Sequence, residues 1–397
     1  MKFGIVTLVG DNYGNKFQNY AVEQILSHYG EVETFRLERN ANRITSVNVT
    51  KTINKLSLSY VKKFLRSRLM SRFDMNNTDK SVIRDCIYAM VNKDKLLKLK
   101  QERSLAFKDY QDKFLNVYDK ILTHELSADE TWVNQYDAFF CGSDQVWNPT
   151  YDTTSDLAFL SFAKGKSIAM APSFGVSVIP DDVTDKYQKW ISDISFLSVR
   201  EDAGAKIISD LTGREAKVLV DPTMMLDANI WKDCAQKPDN LPRKYLLCYF
   251  LGQVSSKYKK EISNFAKKNN LEIVRLFDIE SPDYYRYGPN EVLYSILNAE
   301  YIFTDSFHGS VFSILFNKNF TVFDRNEGGQ SMSSRLDTLL AKFGLQERKV
   351  GFEYNEIPVS KWAEVETILT KERKYALEYI DNAINSIKEK EDNNAIR

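Results

Sequence analysis

The sequence predicts an α/β protein built from two doubly wound parallel sheets. Short apolar runs, typical of buried strands, alternate with amphipathic helical segments in both halves of the chain, and this alternation indicates β-α-β units. The length of 397 residues also exceeds what one ordinary core accommodates, so two domains are expected. Because polar turns follow the strands in both halves, where α/β sheets bind ligands, we expect the domains to face each other across a cleft.

Composition indicates a soluble globular protein without an obvious nucleic-acid partner. Hydrophobic residues make up 43% and charged residues 27% of the chain, and 54 Lys and Arg balance 54 Asp and Glu. No apolar run approaches the roughly 20 residues of a membrane span, and the opening apolar run is too short for a signal peptide. The four cysteines are scattered without paired ligand spacing, so we expect a reducing cytoplasmic compartment and no metal site.

The first predicted unit is an opening strand, a turn rich in Asn and Gly, and a helix that Gly30 ends. Asn12, Gly14 and Asn15 lie in the turn, and Gln18 lies in the first helical turns. This is where α/β sheets bind ligands, so all four residues are candidate substrate contacts. The alternative is that Asn12 and Asn15 only shape the turn and cap the helix. Neither a Walker loop nor a dinucleotide fingerprint is present.

Residues 39–73 carry nine basic residues and no acidic one, with apolar residues at helical spacing. A basic amphipathic helix of this kind can lie on an anionic membrane surface. The alternative is an ordinary solvated helix packed on the domain. Residues 80–120 continue as polar helix, so we expect residues 39–120 to form a helical insertion in the first domain.

The next predicted strand, Ala138–Cys141, leads into a loop dense in hydrogen-bonding side chains. The candidate binding residues of this loop are Gly142, Ser143, Asp144, Gln145 and Trp147. Carboxylate and amide groups suit sugar hydroxyls, and an indole face suits a sugar ring. The alternative is a turn in which Ser143 or Asp144 caps a helix.

Arg200 ends a later strand of the first half, beside Glu201. An arginine at the carboxyl end of a strand can clamp a carboxylate or a phosphate through two parallel hydrogen bonds. It can equally form a structural pair with Glu201 or another acid. A strand at residues 217–220 closes this half, and residues 227–243, with two prolines, are the best candidate linker.

The second half is predicted as strands at residues 245–251, 272–277, 301–304 and 320–323, with helices at residues 256–269 and 289–299 between them. After the strand Tyr301–Thr304, Ser306, His308, Gly309 and Ser310 open a helix. The amides of Gly309 and Ser310 are expected to favour an anion there. The chain has only three histidines, so His308 is a candidate acid, base or phosphate ligand. The alternative is a capping imidazole without chemistry.

The last strand enters a loop that contains Arg325 and ends near Ser334. Arg335 then opens a helix, and a final helix at about residues 362–388 is long enough to cross back to the first domain. We therefore predict domains at residues 1–226 and 243–360, with residues 361–397 as the crossing helix.

In order and spacing, these motifs resemble those of the polysaccharide pyruvyl transferases over nearly the whole chain. The motifs are Asn12-Tyr13-Gly14-Asn15 with Gln18, Asn19, Tyr20 and Ala21; Gly142-Ser143-Asp144-Gln145-Val146-Trp147-Asn148-Pro149; Ser198-Val199-Arg200-Glu201; Asp221-Pro222-Thr223; and Ser306-Phe307-His308-Gly309-Ser310. The resemblance implies two facing Rossmann-like domains, similar to the GT-B glycosyltransferase architecture, with the acceptor on the first domain and the donor on the second.

The resemblance further implies transfer of the pyruvyl group of phosphoenolpyruvate to a hexose as a ketal, often to galactose, with release of phosphate. His308 would be the catalytic histidine and Arg200 a ligand of the donor anion. Many members carry a basic residue just before the histidine, where this chain has Ser306 and Phe307. Arg335 or Arg325 is therefore expected to supply that charge. No cofactor or metal is implied beyond phosphoenolpyruvate as the donor substrate.

Bacterial pyruvyl transfer often acts on a sugar carried by a polyprenyl diphosphate, which would bring the enzyme to the inner face of the membrane. Residues 39–73 would dock it there. Two other functions remain open. Two Rossmann-like domains also suit a glycosyltransferase that uses a nucleotide sugar, and the chain can also be a non-catalytic glycan-binding subunit of a polysaccharide assembly.

Overall fold

The structure is a computed structural model that describes residues 1–38, 92–252, 254–278, 281–325 and 334–395. The basic segment 39–73 lies outside the described residues, as does most of the predicted insertion 39–120. Within the described ranges, each half of the chain contains a parallel sheet.

The sheet of the first half has the strand order β3-β2-β1-β4-β5. Its strands are β1 (Lys2–Thr7), β2 (Glu31–Leu37), β3 (Val117–Leu122), β4 (Ala138–Cys141) and β5 (Ser167–Ala169), and the parallel pair β6 (Ser198–Val199) and β7 (Lys217–Val218) follows. The backbone of Phe196 bonds to both Ser167 and Ala169. The pair β6 and β7 therefore continues the sheet beyond β5.

Helices connect these strands. They are α1 (Tyr13–Leu26), α2 (Lys93–Phe114), α3 (His124–Ser127), α4 (Glu130–Val133), α5 (Thr184–Ser192), α6 (Asp202–Thr212), α7 (Pro222–Met225) and α8 (Ala228–Cys234). Short 3₁₀ helices lie at Asp156–Phe159 and Asp181–Val183.

The sheet of the second half has the strand order β11-β10-β8-β9. Its elements are β8 (Tyr245–Tyr249), α9 (Ser256–Lys268), β9 (Glu272–Leu276), α10 (Pro282–Tyr285), α11 (Pro289–Leu297), β10 (Tyr301–Thr304), α12 (Phe307–Leu315), β11 (Phe320–Val322), α13 (Ser334–Lys342), a 3₁₀ helix Gln346–Arg348 and α14 (Val359–Ala395).

Both faces of the first sheet are covered, which explains why its central strands are continuous apolar runs. In β4, Phe140 packs into one hydrophobic cluster and Phe139 into another on the opposite face. Phe3 and Val6 of β1 divide in the same way. Parallel sheets buried on both sides have this composition. The predicted class, α/β with doubly wound parallel sheets in both halves, is confirmed.

Two sequence predictions were wrong in detail. Polar helix was expected to continue to residue 120, but α2 ends at Phe114 and the chain turns into β3. β3 lies at the edge of the sheet, and the exposed Asp119 and Lys120 interrupt the apolar run that a central strand would show. The expected linker 227–243 is not irregular throughout, because it contains α8. The Asp227 side chain caps this helix by accepting a hydrogen bond from the amide of Asn229, and Trp231 of the helix is buried.

The two halves share one hydrophobic core. Phe17 of α1 contacts Phe312 of α12 with ring centroids 4.9 Å apart, and Trp231 contacts both rings. The final helix α14 contacts both halves, because Lys342 pairs with Glu372 and the Arg373 guanidinium donates to the carbonyls of Met224 and Leu226. The turns that precede α1 and α12 are consequently brought together.

Candidate active site

Polar side chains from both halves form one buried group, which we call the central cluster. Most of its members follow a parallel strand at its carboxyl end, the edge where α/β sheets bind ligands. The members are Asn15, Asp144, Arg200, Asp221, His308 and Arg335.

Arg200 lies at the centre of the cluster between two carboxylates. Its Nη1 donates to Oδ2 of Asp221 over 2.6 Å, and its Nη2 donates to Oδ1 of Asp144 over 3.1 Å. The Arg200 side chain is only 1% exposed. The structural pairing that the sequence left open is therefore present, with Asp144 and Asp221 as the partners. Contact of Arg200 with the donor anion stays a prediction.

The two carboxylates remain charged although both are buried. Burial opposes ionisation of Asp144, but the attraction of Arg200 and its basic neighbours outweighs burial and lowers the pKa of this carboxyl group. Burial also opposes ionisation of Asp221, yet the nearby His308 and Arg200 lower its pKa. Both acids therefore carry negative charge at neutral pH.

The loop after β4 is fixed to the first turn of the chain by hydrogen bonds. The amide of Ser143 donates to Oε1 of Gln18 over 2.7 Å, and Nδ2 of Asn15 donates to Oδ2 of Asp144 over 2.7 Å. Gly142 has φ +110°, and a Cβ there would lie 2.8 Å from the carbonyl oxygen of Met170. Glycine is thus required at this position for the loop to turn into the cluster.

His308 lies in the first turn of α12 and faces the carboxylate of Asp221. Its Nε2 lies 3.8 Å from Oδ2 of Asp221 and has no hydrogen-bond partner. Burial lowers the pKa of His308, although Asp221 and Asp144 oppose this effect. The imidazole is consequently neutral at pH 7 and able to accept a proton.

The amides expected to hold an anion beside His308 are already engaged. The amide of Gly309 donates to Oγ of Ser306 over 3.2 Å, and the amide of Ser310 donates to the carbonyl oxygen of Ser306 over 3.1 Å. Ser306 is the N-cap of α12. The prediction that Gly309 and Ser310 offer free amides to a ligand was therefore wrong, because the helix cap satisfies them locally.

Gly14 lies against the imidazole of His308. A Cβ built on Gly14 would overlap Nδ1 and would lie 2.6 Å from Cε1 of the ring. Asn12 holds this turn, because its Oδ1 accepts a hydrogen bond of 2.8 Å from the amide of Gly14. Asn12 thus caps α1, which is one of the two roles that the sequence allowed for it. Because Gly14 has no side chain, the turn before α1 can approach His308.

Replacing Gly14 with alanine is expected to lower turnover that depends on His308 by about 100-fold, because a displacement of the imidazole of about 1 Å has an effect of this size. Gly10→Ala is the matched control, since a Cβ at Gly10 meets Oδ1 of Asn15 only at an ordinary contact distance of 3.5 Å. The steady-state turnover rates of the Gly14→Ala and Gly10→Ala variants, each compared with the wild type, test the prediction. Equal rates for the two variants would contradict it.

Arg335 is the second buried guanidinium of the cluster, and it is held less firmly than Arg200. Its Nη1 lies 4.0 Å from Oδ1 of Asp144, and its Nε has no hydrogen-bond partner. Both arginines flank Phe307, with the guanidinium carbons 4.2 Å and 5.8 Å from the ring centroid. Burial lowers the pKa of Arg335, but a guanidinium remains charged in proteins.

The model of one protein family matches residues 12–327 of the chain, which contribute every member of the central cluster except Arg335. The chain belongs to the polysaccharide pyruvyl transferase family. This membership agrees with the resemblance seen in the motifs. No curated protein sequence matches this family member.

Solved structures similar to this family member cover nearly its whole length at low identity. The UDP-GlcNAc 2-epimerase from Neisseria meningitidis, bound to UDP-GlcNAc, is 11% identical, covers 98% of this chain and 99% of its own, and has a TM-score of 0.42. The glycosyltransferase VinC, in complex with DTDP, is 12% identical, covers 98% of this chain and 100% of its own, and has a TM-score of 0.41. Because both TM-scores are low, the assignment of the fold class rests on the parallel sheets described above.

Trp147 of this family member does not offer the indole face that the sequence suggested for a sugar ring. Trp147 is completely buried, stacks on Phe159 with ring centroids 4.7 Å apart, and donates its Nε1 hydrogen to the carbonyl oxygen of Ala158. Oε1 of Gln145 accepts from Asn148 and packs against Gly175. Trp147 therefore supports the loop from behind, whereas Ser143 and Asp144 reach the central cluster. Contact of Gln145 with a substrate stays a prediction.

Arg325 lies near the cluster but has an acid of its own. Its Nε is 3.2 Å from Oδ2 of Asp305, and its Nη2 donates to the Asp305 carbonyl oxygen over 3.2 Å. Oδ1 and Oδ2 of Asp305 also accept from the amides of Leu251 and Gly252. Ser334 is partly buried at the start of α13, next to Arg335.

Sequence reasoning did not name two acids of the site, Asp221 and Glu201, as binding or catalytic candidates. Asp221 lies three residues after Val218, the last residue of β7, so its position near a strand end was an available signal. Glu201 is completely buried, accepts from Oγ of Ser173 and the amide of Phe174, and leaves Oε2 without a hydrogen-bond partner. Burial raises the pKa of Glu201.

The described residues contain no group of three or more His, Cys, Asp or Glu arranged to hold a metal ion. Within the same residues, the helices are each too short or too polar to cross a membrane.

Proposed function

We propose that this family member transfers the pyruvyl group of phosphoenolpyruvate to a hexose of a bacterial polysaccharide or of its lipid-linked precursor, forming a ketal and releasing phosphate. Galactose is the acceptor we would test first. The observation that carries the proposal is the central cluster, in which a neutral histidine lies among two buried arginines and two ionised acids. No further cofactor is proposed.

The reaction needs a group that can both accept and return a proton. A sugar hydroxyl attacks C2 of phosphoenolpyruvate and loses its proton, while C3 gains one. Phosphate then leaves, and the second hydroxyl closes the ketal. Because burial keeps His308 neutral, it begins as a base for the hydroxyl and can then protonate the donor or its departing phosphate. One hydroxyl proton ends on C3 and the other on phosphate, so the step balances.

The donor carries a phosphate and a carboxylate, so it needs a cation with unused hydrogen-bonding capacity. Arg200 is held by two acids, and Arg325 is held by Asp305. Nε has no hydrogen-bond partner in Arg200 or in Arg335, so the ion pairs make the difference. Arg335 lies 4.0 Å from Asp144, whereas Arg200 lies 2.6 Å and 3.1 Å from its two acids. We therefore assign to Arg335 the charge that many members carry just before the histidine.

Arg335→Met is expected to lower kcat/KM for phosphoenolpyruvate by about 10- to 100-fold, since hydrogen bonds to charged groups contribute about 1.5–3 kcal/mol. Arg325→Met is the matched comparison and should have the smaller effect, because Arg325 is already paired. Phosphate release at varied phosphoenolpyruvate concentration measures both. A larger loss in Arg325→Met would transfer the assignment to that residue.

The reaction itself is tested by phosphate release from phosphoenolpyruvate with a panel of galactosides and lipid-linked sugars, followed by mass analysis of the acceptor. We expect a product heavier by pyruvate less one water. If nucleotide is released from a sugar donor and no phosphate from phosphoenolpyruvate, the chain is a glycosyltransferase. Glycan binding without either release would indicate a binding subunit.

We also propose that residues 39–73, which lie outside the described residues, dock the enzyme on the anionic inner face of the membrane. Flotation with anionic vesicles should carry the protein upward, and neutral vesicles should not. A variant with Lys62, Lys63, Arg66 and Arg68 changed to glutamine is expected to lose flotation. Unchanged flotation of that variant, or none of the wild type, would refute the proposal.

A further inference from the structure

We propose that Asp221 is a positioning residue for His308: its carboxylate holds a proton on Nε2, so that Nδ1 is the basic nitrogen of the neutral ring. The inference deepens the proposed function and rests on it for its mechanistic meaning. The evidence is the geometry around two side chains, Asp221 in the first half of the chain and His308 in the second.

Asp221 is held in place without help from His308. Its Oδ1 accepts from the amide of Thr223 over 3.0 Å and from Oγ1 of Thr223 over 2.7 Å. Its Oδ2 accepts from Nη1 of Arg200 over 2.6 Å and lies 3.3 Å from Oγ of Ser143. The Asp221 side chain has no solvent exposure. Its negative charge therefore has a fixed position when the imidazole changes its protonation state.

The two nitrogens of His308 have different surroundings. Nε2 is enclosed, has no hydrogen-bond partner and lies 3.8 Å from Oδ2 of Asp221. Nδ1 lies beside Gly14, which presents no polar side chain to it. A carboxylate facing one ring nitrogen favours the tautomer with the proton on that nitrogen.

Four charged groups face His308, and they act in opposite directions. Asp221 and Asp144 favour the imidazolium, whereas Arg200 and Arg335 disfavour it. Asp221 has the larger effect of the two acids. A proton that arrives at Nδ1 is therefore stabilised chiefly by Asp221, which itself stays ionised. His308 then releases that proton later in the reaction, and Asp221 neither gains nor loses one.

The tautomer can be observed in the unmodified protein. The chain has only three histidines, so ¹⁵N-labelled imidazoles give few signals, and His308→Gln identifies those of His308. We expect neutral His308 to carry its proton on Nε2 and to show Nδ1 as an unprotonated nitrogen. A proton on Nδ1 would overturn the proposal. This measurement needs no variant of Asp221, so it remains decisive if such a variant does not fold.

The electrostatic effect is tested with Asp221→Asn. Removing an opposite charge at this distance should lower the pKa of His308 by about 1–3 units. Asp227→Asn is the matched control, because it makes the same change at an exposed residue, where asparagine also serves as a helix cap. The same titration curve for His308 in wild type and Asp221→Asn would overturn the proposal.

Both measurements use the protein alone, without donor or acceptor. If the tautomer and the titration follow the proposal but no phosphate is released with any acceptor, the pyruvyl transfer is refuted and the role of Asp221 is not. If phosphate is released but neutral His308 carries its proton on Nδ1, the role of Asp221 is refuted and the pyruvyl transfer is not.

Discussion

Replacing His308 with glutamine is expected to lower kcat for phosphate release by about 100- to 10,000-fold, the usual contribution of a positioned acid or base. Glutamine preserves much of the volume and can hydrogen-bond, but it cannot accept a proton at neutral pH. His308 is buried beside two ionised acids and two arginines. Among the described residues of the central cluster, His308 is the side chain best suited to moving a proton, and the substitution removes it. We expect the fold to be retained.

His28→Gln is the matched control, because His28 is exposed and lies at the opposite end of α1 from the cluster. The control should turn over like the wild type. Circular dichroism and thermal unfolding should show that both variants are folded. Near-normal turnover in His308→Gln would exclude the catalytic role and leave His308 as a helix-opening residue.

Replacing Arg200 with methionine is expected to lower the free energy of unfolding by about 3–5 kcal/mol, the usual effect of breaking a buried ion pair on one side. Methionine keeps the apolar stem of the side chain but lacks the guanidinium group, which makes the contact with Phe307. It leaves the largely buried Asp144 and the fully buried Asp221 without their shared cation. Chemical denaturation measures the loss, and Arg243→Met, at an exposed position, is the control.

The effect of Arg200→Met should depend on pH in a defined direction. The pKa values of Asp144 and Asp221 are lowered in the folded protein. Their ionised forms therefore stabilise the wild type above about pH 4, the pKa of an aspartate in the unfolded chain. This stabilisation is lost as the pH falls through the pKa values of the folded protein. Without Arg200, one acid can take a proton and relieve the unpaired charge. The stability deficit should therefore be largest near pH 7 and shrink towards pH 4. A deficit independent of pH would contradict the ion-pair explanation.

Local patterns were sufficient to predict most of the regular structure. The strands Ala138–Cys141 and Tyr301–Thr304 were expected from short apolar runs and are present with those bounds. Both are central strands covered on both faces, where an apolar run is a reliable signal. β3 was missed because it is a partly exposed edge strand in which Asp119 and Lys120 interrupt the apolar run.

The sequence also indicated which segments carry the site, but not which side chains reach it. In the loop after β4, Asp144 pairs with Arg200, while Trp147, three residues later, is buried against Phe159. Both residue types are common in sugar sites, so residue type alone did not separate them. Only the packing of the 3₁₀ helix Asp156–Phe159 behind the loop shows which one is covered.

By itself, the sequence determined the α/β class, the order of the strand ends and the family motifs, because apolar periodicity and turn residues act over a few neighbouring positions. Tertiary structure decided the chemistry of those turns. Arg200 meets acids that are 56 and 21 residues away, and Gly14 meets His308 from the other half of the chain. Such partners are set by how the two sheets pack around a shared core. The same packing buries His308 and thereby lowers its pKa.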